Sequence, residues 1–464
     1  MGRVRGWLVL WVGAAPLTAV ARPDDPGLPA DPSLARLIEE SIAARPELAS
    51  AQAVQRATAL RPDQAGALPD PMLQLGIQND GFTSLEVGRM ETSFVSIMAS
   101  QTIPWPGIRP LRSEAARLDA VRSAQTLARV RLSTEAEVRR GYLDLLLVRG
   151  RLALLEQLTQ IWQDSLSVAT ARYETGEGAQ SDVLRAQLEL NRVRQRRLSQ
   201  SAIEQGKLLV LNRLRNATLD APIATPIHLK DLATLDAHAH LFDEAKALQR
   251  SPELQSARLS VTRSEVAVAL AERSYYPDLT LTAGLMFRGE LPPMWLVTVG
   301  FPMTVLASQK RDLALEEQRE WSSSAGLEAT TLEQLLRLRT RERAMVFSTL
   351  QQIVALYERG LLVQSEATTQ STLSQYRVGR VSFASVLEAN AGFIADQEGY
   401  LESIAAAHRL LIAGQEVSLA ETPMPTEGRS GGMSAPETTM PAAAPGAMPS
   451  DPGPAIRGAA PAAM

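Results

Sequence analysis

Tyr173-Glu174-Thr175-Gly176-Glu177-Gly178-Ala179-Gln180-Ser181-Asp182-Val183-Leu184-Arg185-Ala186 returns about two hundred residues later as Tyr376-Arg377-Val378-Gly379-Arg380-Val381-Ser382-Phe383-Ala384-Ser385-Val386-Leu387-Glu388-Ala389. Tyr, Gly, Val, Leu and Ala recur at identical spacing. The echo extends along the chain: Arg45-Pro46-Glu47-Leu48 matches Ser251-Pro252-Glu253-Leu254, Pro69-Asp70 matches Pro277-Asp278, Gly76 matches Gly284, and Ile103-Pro104 matches Phe301-Pro302. A period this long marks a duplicated, domain-sized unit and not a solenoid repeat of about 20–50 residues.

Each copy carries the same succession of patterns. Asp31 to Leu60 reads as a helix, with Leu34, Leu37, Ile38 and Ile42 on one stripe. Pro69-Asp70-Pro71 stops helix formation, because proline lacks the amide donor and biases its predecessor toward extended geometry. Leu73, Leu75 and Ile77 then alternate with Gln74, Gly76 and Gln78, and a second alternating run spans Phe94 to Ile103. From Ile108 to Arg172 apolar residues recur at helical spacing, with no proline after Pro110; Gly141 and Gly150 inside this run mark close packing or flexible points. The turn Tyr173 to Gln180 leads into a return helix, Ser181 to Leu214. The second copy predicts a helix from Phe242 to Ser274, a strand from Leu279 to Phe287, a turn at Pro292-Pro293, a strand from Trp295 to Phe301, a long helix from Gln309 to Gln375 and a return helix from Phe383 to Val417.

Met1 to Arg5 is basic, Gly6 to Leu17 is largely apolar, and Ala19-Val20-Ala21 is a small-residue cleavage pattern, so residues 1–21 read as a secretory signal peptide. A single membrane anchor is the alternative, but the apolar run falls short of the roughly 20 residues a spanning helix needs. Residues 33–214 and 241–418 are the two copies, 215–240 a linker, and 422–464 a Pro/Ala/Met-rich tail whose composition predicts disorder. None of the 464 residues is cysteine, which excludes disulfides, thiolate metal sites and a catalytic thiol. The 47 basic and 51 acidic residues are mixed along the chain, with no basic stripe for nucleic acid.

The strand pairs have one apolar face over a length that a tilted strand needs to cross hydrocarbon; a hairpin on a soluble sheet is the competing reading. Four strands cannot close a barrel, and an open edge is not tolerated in lipid. If the strands span a membrane, several chains share one barrel.

The two helix-strand-strand-helix-helix copies behind a signal peptide, the Pro69-Asp70-Pro71 start, the Ser100-Gln101-Thr102-Ile103-Pro104-Trp105-Pro106-Gly107 finish and both Tyr-x-x-Gly turns resemble the outer-membrane efflux protein (TolC) family. The proline-bounded strands are most similar to members serving heavy-metal efflux pumps of the resistance-nodulation-division type. The resemblance implies a mainly α protein with transmembrane β-strands: a homotrimer whose twelve-stranded outer-membrane barrel continues as a long periplasmic α-helical barrel. It implies a gated channel without enzymatic activity or cofactor, partnered by outer-membrane lipid, a periplasmic adaptor and an inner-membrane pump. It places Tyr173, Gly176, Tyr376 and Gly379 at tips that meet the adaptor, while the glycines also suit plain helix C-caps. It places an acidic constriction at Ser385 and Glu388. Only Glu388 has a carboxylate there; Asp182, the first-copy equivalent of Ser385, supplies another. The alternative for Glu388 is an exposed glutamate paired with a nearby arginine.

Other features are weaker. His238-x-His240 is the one close histidine pair, and neither it nor His228 has metal-ligand spacing, so no metal site is predicted. Met424, Met433, Met440, Met448 and Met464 lie in the tail at loose spacing; thioethers suit Cu(I), but an inert tail is the simpler reading. The rival function is a soluble periplasmic coiled-coil adaptor or scaffold, and a periplasmic enzyme comes third.

Overall fold

The computed structural model describes residues 31–82, 84–235, 241–303 and 308–423. The signal-peptide segment, His238, His240 and the tail methionines lie outside them.

The first copy opens with α1 (Pro32–Ala44), α2 (Pro46–Ala59) and α3 (Arg61–Gly66), and the second with α6 (Glu244–Arg250) and α7 (Pro252–Arg273). The single helices expected over Asp31 to Leu60 and Phe242 to Ser274 are therefore broken. The cause is the echoed proline: Arg45 and Ser251, each just before it, sit in extended conformation, and Pro46 and Pro252 each begin a new helix. The Arg45 guanidinium secures the first break to the long helix through Glu137 at 2.8 Å and Thr134 at 3.2 Å.

That long helix is α4 (Ile108–Glu174), whose 67 residues extend about 100 Å at 1.5 Å per residue. It folds back into α5 (Gln180–Leu214), and a short 3₁₀ turn over Leu229–Leu232 lies in the connection between the copies. The corresponding arm of the second copy is α8 (Ser308–Leu356), a π-helical turn (Tyr357–Leu361) and α9 (Leu362–Arg377), returning as α10 (Phe383–Glu416). The expected unbroken helix from Gln309 to Gln375 thus contains one turn of a different pitch. Tyr357 packs there against Gly399 of α10, and the Glu358 carboxylate accepts the Tyr400 hydroxyl at 2.9 Å.

One apolar core joins the copies around Tyr142, Leu143, Leu145 and Leu146 of α4, with Leu211, Phe347, Leu401 and Leu411 from the other long helices. A Cβ on Gly141 would come within 2.8 Å of Leu211 Cδ2, so this glycine permits a close α4–α5 approach. Gly150 has only ordinary contact with Leu401, at 3.6 Å. The fully buried Tyr142 donates to Asp31, whose other oxygen caps α1 through Ser33 N at 2.8 Å.

The strands β1 (Met72–Gln78), β2 (Phe94–Ile103), β3 (Leu279–Arg288) and β4 (Leu291–Gly300) form one antiparallel sheet in the order β1-β2-β3-β4. The turn expected at Pro292-Pro293 lies instead between Arg288 and Leu291, with Gly289 at φ +63°. Both prolines belong to β4. Proline cannot donate to a ladder, but β4 is an edge strand, where that is tolerated.

Candidate functional site

Three places combine position with unusual exposure: the sheet, the ends of the two hairpins, and one face of α10.

The sheet register carries most of the branched and aromatic apolar residues to one side, while Met98, Met286 and Leu296 fall on the other. Leu75 pairs with Ile97, Ile97 with Leu285, and Leu285 with Trp295, giving one apolar row across four strands. All four are exposed, Leu75 at 74% and Trp295 at 77%. The next row of that face is Leu73, Ala99, Ala283 and Val297. On the opposite face Met72, Ser100, Thr282 and Thr298 align, with Gln74 and Gly284 in the row beside them. Most residues of that second face in β2 and β3 are half-buried, whereas the apolar face is open, an inversion of the pattern of a sheet in water. The outer edges of β1 and β4 are unpaired among the described residues. No helix among the described residues is long and apolar enough to cross a membrane.

At the hairpin ends both motif glycines adopt the left-handed backbone, Gly176 at φ +79° and Gly379 at φ +74°, which a side chain would strain. Each closes its helix: Gly176 N and Glu177 N donate to Tyr173 O and Arg172 O, and Gly379 N and Arg380 N to Tyr376 O and Gln375 O. The tyrosines of the two motifs differ. Tyr173 is 47% exposed, whereas Tyr376 is 2% exposed and packs against Phe383 in a tilted arrangement, with ring centroids 5.3 Å apart. The Tyr376 hydroxyl donates to Asp182 Oδ2 at 3.0 Å, so the second hairpin is tied to the first. Arg172 completes the tie: its guanidinium lies over the Tyr376 ring, 4.8 Å from the centroid, and donates to Tyr376 O at 2.6 Å and Glu177 O at 3.0 Å. The expected adaptor contacts therefore divide into an outward ring, Tyr173, and an inward one, Tyr376, while Asp182 serves as the acceptor of that tie.

Burial, and then the Asp182 carboxylate, push the Tyr376 hydroxyl up to about 12. A raised pKa stabilises the linked state below the ordinary tyrosine value of about 10, and that contribution is lost as pH rises from there through the folded value. The tie is thus intact throughout the neutral range.

On α10, Glu388 is exposed and Ser385 half-buried. They share a groove of 460 Å³ with Gln364 and Thr368 of α9 and with Gly392 and Asp396. Neither Glu388 nor Asp396 has a hydrogen bond or ion pair among the described residues, so no arginine among them is the partner considered for Glu388. Asp396 was not singled out from sequence. Its signal was the spacing Ser385, Glu388, Gly392, Asp396, one stripe of a helix.

Among the described residues no group of three or more His, Asp or Glu is placed to hold a metal ion. His228 begins the 3₁₀ turn, its amide bonded to Asp231 Oδ2 at 2.8 Å.

The family model described as outer membrane efflux protein matches residues 37–216. No curated protein sequence matches the chain. Among solved structures, a membrane protein from Pseudomonas aeruginosa covers 88% of this chain and 98% of its own, with 17% identity and a TM-score of 0.72. The outer membrane protein VceC from Vibrio cholerae covers 82% and 95%, with 15% identity and a TM-score of 0.69. CusC, described for conformational changes accompanying folding and transmembrane channel formation, covers 86% and 95%, with 15% identity and a TM-score of 0.68. The likeness of fold thus extends through both copies.

Proposed function

We propose that this chain, which carries an outer membrane efflux protein domain over residues 37–216, is the outer-membrane channel of a tripartite efflux system: a passive, gated exit duct for substrates driven by an inner-membrane pump. The observation that carries the reading is the four-stranded sheet, whose predominantly apolar face is exposed and whose two edges are open, standing beside helices far longer than globular packing requires. Apolar surface out, polar surface in and unpaired edges are together consistent with a segment of a shared barrel. Three chains give twelve strands, with β4 of one meeting β1 of the next. The long hairpins then form a periplasmic conduit, and no chemistry is required of the protein.

The test is assembly and conductance. Detergent-solubilised protein is expected to scatter light at three times the mature chain mass and to form discrete pores in planar bilayers; a monomer released by carbonate washing would favour the soluble scaffold instead.

In this reading the hairpin ends face the periplasmic adaptor, with Tyr173, Gly176 and Gly379 at the docking surface and Tyr376 holding the turn from within. The Asp182–Tyr376–Arg172 tie keeps the closed arrangement. Replacing Tyr376 with Phe removes the hydroxyl but keeps the ring, and is expected to raise the open probability of single channels without loss of trimer. An unchanged open probability would remove the tie from the gate.

In the same reading Glu388, with Asp396 about two turns further along α10, faces the pore. Carboxylates repeated around a narrow water-filled path focus the field and concentrate cations. Glu388→Gln is expected to lower cation selectivity and weaken block by multivalent cations, with trimer yield unchanged. Unaltered selectivity would shift the constriction to Asp396. A heavy-metal cation as cargo rests on the resemblance of the proline-bounded strands to heavy-metal members; export of radiolabelled metal by cells with and without the chain tests it.

A further inference from the structure

Where the sheet gives way to helices, a groove of 620 Å³ runs between the α3–β1 segment and the β2–α4 turn. Its lining is mixed in character. Leu68, Ile103 and Trp105 contribute apolar surface, and Ile103 belongs to the same exposed apolar face as Ile97 and Val95. Arg109, Asp63 and Ser113 contribute charged and polar groups.

Arg109 is oriented by its Nε, which donates to Gly66 O at 2.8 Å, and its terminal nitrogens make no hydrogen bond or ion pair among the described residues. Asp63 likewise has no partner there, and the two do not pair with each other. A cation and an anion thus line one groove and remain separately available. The walls are preformed: Pro62, Pro104, Pro106 and Pro110 fix the backbone. Trp105 is immobilised by stacking on Tyr276, with centroids 5.0 Å apart and planes at 10°, and its amide is held by Asp278 Oδ1 at 2.9 Å. The Arg273 guanidinium lies against Gly107, adding a second positive charge at this rim.

We propose that this groove binds a phospholipid whose headgroup carries both a phosphate and a primary ammonium. Arg109 takes the phosphate, Asp63 the ammonium, and the acyl chains continue along Leu68 and Ile103 onto the apolar face of the sheet. The charge pattern selects the headgroup: a phosphate alone leaves Asp63 opposed to an anion, and a quaternary ammonium offers it no N–H donor. The aromatic stack at the same level is the ordinary furniture of a membrane–water interface. This proposal rests on the sheet being membrane-embedded.

The test uses the full-length protein, purified in detergent, stripped of lipid and shown by mass to be trimeric. Native mass spectrometry then follows titration with dioleoylphosphatidylethanolamine, dioleoylphosphatidylcholine and dioleoylphosphatidylglycerol. The ethanolamine lipid is expected to saturate at one per chain at a several-fold lower concentration than the other two. Asp63→Asn, at an exposed residue, is expected to abolish its advantage over the glycerol lipid; Arg109→Gln is expected to weaken all three, and Arg109→Lys to restore binding in part. Equal retention of the three lipids by the unaltered protein, or an unchanged preference in Asp63→Asn, overturns the proposal while leaving the channel reading intact. A chain that stays monomeric and takes up no lipid overturns both.

Discussion

Leu75→Arg is expected to lose most of its membrane-assembled trimer, while Gln74→Arg, one residue away, assembles normally. Leu75 stands near the middle of β1, in the apolar row with Ile97, Leu285 and Trp295. An arginine on a lipid-facing strand position near the midplane costs about 2–4 kcal/mol, and less toward the interfaces. Three copies per barrel multiply that cost in the assembled state. Leu281 lies on the same face but in the row of Gln101 and Val299, close to the end of the sheet from which α4 departs. Leu281→Arg is therefore expected to be milder than Leu75→Arg, and Thr282→Arg to be tolerated. Heat-resistant trimer on gels and urea-folding midpoints in lipid check the ranking. Equal damage from Leu75→Arg and Gln74→Arg would mean that the two faces have been assigned wrongly.

The second large effect is expected far from the sheet, at Arg343 of α8. It is 2% exposed, and its guanidinium donates to Ser418 O at 2.6 Å, Ala420 O at 3.0 Å and Ala413 O at 3.5 Å, gathering the chain after α10. Burial pulls its pKa below the usual arginine range, and the nearby Glu416 opposes that shift. Glu416 is itself buried and bridged to Arg140 at 2.6 Å and Arg129 at 3.3 Å, while Arg129 also meets Glu253 at 2.9 Å. Removing Arg343 leaves the Ser418 and Ala420 carbonyls without this donor and takes a positive charge from beside Glu416, which keeps Arg129 and Arg140; each buried group left unsatisfied costs about 1–3 kcal/mol. Arg343→Leu is thus expected to lower the thermal midpoint sharply. Arg343→Lys should recover little, because an ammonium lacks the planar fork that spans several carbonyls. Equal stability of Arg343→Leu and the parent would mean that this end of the chain is held by its apolar contacts alone.

The strands and long helices were legible because their two periodicities are hard to confuse over runs of this length. β2 and the close of the first hairpin could be placed from alternation and one Tyr-x-x-Gly. The helix breaks were legible in principle, since Pro46 and Pro252 each follow a residue forced to be extended, but an apolar stripe running past them masked the signal. Pro292-Pro293 misled for the opposite reason: a proline pair reads as a turn unless the strand is known to be an edge, and that depends on partners distant in sequence. The tie between Tyr376 and Asp182 was out of reach for the same cause. Local pattern distinguishes neither Tyr173 from Tyr376 nor a free acid from one already bonded; only the packing of one hairpin against the other does so.

The π-helical turn at Tyr357–Leu361 has no counterpart in the uninterrupted α4. One surplus residue in a helix is a phase error of about 100° for everything beyond it. Everything in the second arm beyond that turn is therefore rotated relative to an uninterrupted helix. A quarter-turn or more of that kind carries a side chain from one face of a helix to another, and it matches the separate fates of Tyr173, which looks outward, and Tyr376, which looks in. Two copies of one motif thus serve as socket and key, with the acceptor Asp182 standing in the first where the second has Ser385.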